Sequence, residues 1–136
     1  IIGSIEFACK VAGSKLIVVM GHSKCGAVKG ACDHVEMGNL TELLAKIQPA
    51  VYKETQTDDK ELRNSANDVF VENVASLNVK RSVRAIVERS FILEQMIEKG
   101  EIGIIGAKHD LETGAVEFYE DSMLCNLAGV QANLGS

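Results

Sequence analysis

Apolar and polar positions alternate along the chain in two periods. In Ser4–Ala12, "SIEFACKVA", Ile5, Ala8 and Val11 recur every third residue, the mark of a helix with one inward face. Ser4 is placed to cap its start and Gly13 to end it. Lys15–Met20, "KLIVVM", is a continuous apolar run between glycines, which predicts a strand buried on both faces as in a parallel sheet. A helix restarts near Ala27 and runs to Cys32. Leu40–Val51 predicts another, with Leu43, Leu44 and Ile47 inward and Pro49 weakening its later half. "KETQTDDKELRNS" is polar and predicts a surface connection or a frayed helix start. Ser65–Leu77 is helical, with Val69, Phe70 and Val74 at matching spacing. Asn78 is expected to cap a further helix, Val79–Lys99, ended by Gly100. "EIGIIGAKHD" reads as a second buried strand, "LETG" as a turn and "AVEFYED" as a third, more exposed strand. The tail, Asp121–Ser136, reads as part helix ("SMLCNLAG") and part loose end. This order predicts an α/β fold, a short and mainly parallel sheet flanked by helices.

Composition narrows the class. A length of 136 residues predicts a single domain, 1–136, with a core of its own. The chain has 14 Lys and Arg against 19 Asp and Glu, so it lacks the basic excess of a nucleic-acid binder. Its apolar runs fall short of the ~20 residues of a membrane span. No signal-peptide pattern is visible, and the absence of a starting Met leads us to expect an upstream part. Cysteines at 9, 25, 32 and 125 are irregularly spaced, which suits a reducing, cytoplasmic setting with free or metal-bound thiols.

The chemistry gathers in "KLIVVMGHSKCGAVKG". In open parallel sheets, sites form just past the carboxyl ends of strands. There the chain places His22 and Cys25, with Gly21 and Gly26 permitting a tight turn. An imidazole and a thiolate on one short loop suit zinc. A helix starting after Cys25 adds a positive backbone dipole that favours thiolate. A bare His-x-x-Cys equally describes a buried cysteine beside a polar loop histidine; the whole strand–glycine–helix unit is the more specific signal. The remaining chemistry reads as structural. Ser23 satisfies loop backbone or donates to a metal-bound thiolate, and Lys24 faces solvent. Cys9 is a small buried apolar residue, and Cys32, two helical turns beyond Cys25, points elsewhere. His34 is a surface histidine at a helix end. His109 and Asp110 end a strand on opposite sides and so do not readily form one unit. Lys80, Arg81 and Arg84 form a solvated helix face or subunit salt bridges.

These residues resemble a family. "SIEFACKVAGSKLIVVMGHSKCGAVKGA" is similar to the middle of a beta-class carbonic anhydrase, "NVASLNVKRSVRAI" to its later helices and "EIGIIGAKHDLETGAVEF" to its late strand–turn–strand. The resemblance runs from about Ile2 to Phe118. It implies a zinc lyase that converts CO2 reversibly to bicarbonate and a proton, with His22 and Cys25 as metal ligands. The family's other cysteine ligand comes from an earlier Cys-x-Asp-x-Arg motif, whose Asp and Arg form a pair at the site. That motif has no counterpart here, so no catalytic side chain is assigned. The family's first strands are lacking too. The strand Lys15–Met20 should then show an open edge and an apolar face, which predicts a homodimer or larger assembly. The contrasting expectation is a non-catalytic binding or regulatory domain of the same fold. A thiol redox protein using Cys25 is disfavoured because no Cys-x-x-Cys pair is present.

Overall fold

The structure is a computed structural model and describes residues 1–129. Its elements are α1 (Ile2–Lys10), β1 (Leu16–His22), α2 (Gly26–Cys32), α3 (Gly38–Ala45), α4 (Gln48–Lys53), a 3-10 turn (Lys60–Leu62), α5 (Asp68–Arg89), α6 (Phe91–Glu98), β2 (Gly103–His109) and β3 (Val116–Leu124). The strands form one sheet in the order β1-β2-β3. Gly103 N–H donates to the Lys15 carbonyl and Ser23 N–H to the His109 carbonyl, both at 3.0 Å, so β1 and β2 run parallel. The β2–β3 hairpin is antiparallel, with Asp110 N–H donating to the Ala115 carbonyl at 2.8 Å. The sheet is therefore mixed: parallel across β1–β2, antiparallel across β2–β3.

The chain forms two compact units, Ile1–Met20 with Ser82–Ala107 and the segment from Glu117, and Gly21–Arg81 with Lys108–Val116. In the first, Cys9, Leu93, Met96 and Ile102 are buried together, with Ile5, Ile17, Ile86 and Ile97 packed against them. Ser90 locks this unit: its hydroxyl donates to Glu6 and accepts from Leu93 N–H at 3.1 Å, capping α6. In the second, Val28, Ala31, Cys32, Leu44, Val51, Phe70 and Val74 lie in one core against which Cys25 is half-buried. Arg63 closes that unit's polar loop, donating to the carbonyls of Val51, Glu54 and Thr57 and stacking 4.7 Å from the Phe70 ring centre. The "KETQTDDKELRNS" stretch is thus a connection, as its composition predicts, but one pinned to the core.

Three boundaries differ from the sequence reading. Leu40–Val51 is two helices, because Pro49 lies in the first turn of α4, where its missing N–H leaves no bond unmade. Asn78 lies inside α5, and the helix break falls at Ser90, whose hydroxyl supplies the cap. Ser122–Leu124 extends β3 instead of opening a helix; helical backbone begins at 127, and the rest of the tail, 130–136, lies outside the described residues. Gly100 does end α6, at φ +72°. β2 is buried along most of its length, as expected of a central strand. β1 is not buried on both faces: it is the sheet's edge, and Leu16, Val18 and Met20 are 49%, 39% and 51% exposed. This is the open, apolar strand that the expected lack of neighbouring strands implies.

Candidate metal centre

The candidate residues lie at the end of β1, in the second unit. Gly21 brings the strand close to α5: a Cβ there would sit 2.8 Å from Val79 Cγ2. His22 follows, exposed, with its Nδ1 2.9 Å from the Ser23 carbonyl oxygen. A carbonyl only accepts, so Nδ1 is the donor in this bond and Nε2 is the nitrogen left for a ligand. Lys24 turns the chain at φ +55°, a left-handed conformation that is uncommon outside glycine. Cys25 then returns to extended backbone at φ −65°, ψ 119°, and caps α2 with its thiol free.

A second loop supports this one. Ser23 N–H donates to the His109 carbonyl at 3.0 Å, and Ser23 Oγ accepts from Leu111 N–H at 2.9 Å. Lys24 Nζ is ion-paired with Glu112, which raises the lysine's pKa. The supporting loop is itself folded by Asp110. Its Oδ1 accepts from the N–H groups of Glu112 at 2.8 Å and Thr113 at 3.2 Å, and Gly114 closes the turn at φ +75°. Those two backbone donors hold the Asp110 carboxyl below the ordinary range. Asp110 thus bonds the turn, and Ser23 satisfies backbone. Lys24 is exposed but not unpaired. The link between the two loops escaped the sequence reading; its trace was the parallel pairing of the two strands, which sets their carboxyl ends side by side.

The other cysteines do not join the site. Burial raises the thiol pKa of Cys9, and raises that of Cys32 to about 11, so both remain protonated at neutral pH. His34 is exposed just beyond α2, its ring tilted against Tyr52 at 6.4 Å. Among the described residues, no three His, Cys, Asp or Glu side chains come together as a metal site. His22 and Cys25 thus offer the nitrogen and sulfur that zinc takes, two of the four positions of a tetrahedral site.

The fold and this strand-end loop define a class. The sequence profile described as "Carbonic anhydrase" matches residues 1–116, and the chain belongs to that family, in its beta class. It is 28% identical over 122 residues to a carbonic anhydrase of Mycolicibacterium smegmatis, covering 86% of this chain and 55% of that protein. Against carbonic anhydrase 2 of Mycobacterium tuberculosis it is 28% identical over 119 residues, covering 84% and 53%. The chain thus spans about half the length of the curated relatives it matches. Among solved structures, the beta-carbonic anhydrase CafA of Aspergillus fumigatus superposes with a TM-score of 0.69 at 25% identity, covering 98% of this chain and 61% of that one. A tetrameric beta-carbonic anhydrase of Sordaria macrospora superposes with a TM-score of 0.70 at 23% identity, covering 87% and 58%. No described helix is long and apolar enough to cross a membrane.

Proposed function

We propose that this chain is the metal-binding and scaffolding part of a zinc lyase that interconverts CO2 and bicarbonate. The observation that carries the reading is the loop from His22 to Cys25, held in place in a chain of this family. His22 would bind zinc through Nε2, its ring oriented by the Nδ1 bond to the Ser23 carbonyl. Cys25 would bind through Sγ at the mouth of α2. Zinc supplies Lewis acidity, which brings the pKa of a bound water toward neutrality. Cys25 is half-buried against the second unit's core, which limits the freedom of a ligating side chain. The family's remaining cysteine ligand and its Asp–Arg pair have no counterpart in the sequence; in this proposal they come from polypeptide outside these 136 residues.

The protein acts as a homo-oligomer in this reading, supported by the tetrameric state of the Sordaria relatives. Four free thiols suit a reducing compartment such as the cytoplasm. Metal analysis and stopped-flow CO2 hydration on the full polypeptide containing this chain test the proposal. About one zinc per chain, lost in Cys25→Ser or His22→Ala together with hydration, is the expected result. Zinc that survives both substitutions would refute the ligand assignment. Zinc lost in both, with no hydration by the parent, would favour a non-catalytic domain of the same fold.

A further inference from the structure

We infer that the β2–β3 turn positions the metal loop, with Asp110 as the positioning residue although it lies 88 positions beyond His22. The inference rests on the assignment of His22 and Cys25 as ligands. Lys24 takes a conformation that non-glycine residues adopt at a cost, so the loop needs an external hold. Ser23 receives that hold on two sides, its N–H given to the His109 carbonyl and its Oγ bonded by Leu111 N–H. Leu111 N–H reaches Ser23 because the Asp110 carboxylate engages the next two amides, those of Glu112 and Thr113, and folds the turn. The same fold carries Glu112 to Lys24. Loss of the Asp110 acceptor therefore releases the bonds to Ser23, and with them the spacing of His22 and Cys25.

The experiment pairs amide hydrogen exchange on the metal-free full polypeptide containing this chain with zinc titration of the same protein, using Asp110→Ala, Asp110→Asn, Ser23→Ala and Ser23→Thr. Asparagine and threonine keep the accepting oxygen. Asp110→Ala is expected to speed exchange of the Ser23 amide, and to weaken zinc binding, by about tenfold or more, a loss of ~1.4 kcal/mol. Asp110→Asn should restore both. Ser23→Ala should weaken zinc to a similar degree and Ser23→Thr restore it. Faster exchange confined to residues 111–114, with the Ser23 amide and zinc affinity unchanged, overturns the inference. If the parent and a Cys25→Ser chain take up zinc equally, the ligand assignment fails, and the Ser23 amide still decides the positioning: faster in Asp110→Ala supports it, unchanged refutes it. Should Asp110→Ala not fold, the Ser23 pair gives the same decision through zinc affinity: a Ser23→Ala chain that binds as tightly as the parent refutes the inference.

Discussion

At Gly21 the backbone passes so close to α5 that any side chain is excluded by Val79 Cγ2, 2.8 Å from where a Cβ would stand. The residue before the candidate metal loop is thus fixed by packing. Gly21→Ala must push the strand or the helix aside, and we expect a loss of about 1–3 kcal/mol in urea denaturation. Cys32 carries a pH dependence of its own. Its folded pKa of about 11 lies above the ordinary 9.0, so between those values the unfolded chain has lost a proton that the folded chain keeps. Stability therefore falls as pH rises through that window, and Cys32→Ala should flatten the slope of unfolding free energy between pH 9 and 11. At this scale the sequence was informative about identity and silent about reach. His22 and Cys25 stand out as candidates by their place between glycines at a strand end. The bond from Leu111 to Ser23 joins residues 88 apart, and no local pattern encodes it.

Strands and helices were legible where an apolar period repeats, and misplaced where a single hydrogen bond decides. The two apolar runs gave β1 and β2 close to their true ends because both are rich in aliphatic residues and bounded by polar ones. The helix break drawn at Asn78 belongs at Ser90. Both residue types cap well, but apolar positions continue through Val79 and Val83, keeping α5 intact past Asn78. Ser90 is 2% exposed and serves both the α6 start and Glu6 on α1. Ser90→Ala removes the cap and leaves Glu6 without that donor; we expect a cost of about 1–2 kcal/mol by thermal or urea denaturation. Ser90→Asp, which keeps the acceptor but meets the Glu6 carboxylate, should not recover it.

For the molecule as a whole, composition set the class, and the pattern of strands and helices set the α/β architecture. The edge position of β1 was legible only through family resemblance, because a continuous apolar run reads the same whether a neighbour covers it or not. On these 136 residues alone the exposed row of Leu16, Val18 and Met20 is an open edge for pairing: Val18→Lys should shift the light-scattering mass of this chain toward smaller species at micromolar concentration. A monodisperse monomer from the parent would overturn that expectation. The two-loop clamp also bears on how the protein is made. Synthesis runs from the amino end, so His22 and Cys25 leave the ribosome long before Leu111 and Glu112. Until that late segment emerges, the loop lacks those partners, and a nascent chain halted before residue 109 holds an imidazole and a thiol without either bond to Ser23 between them.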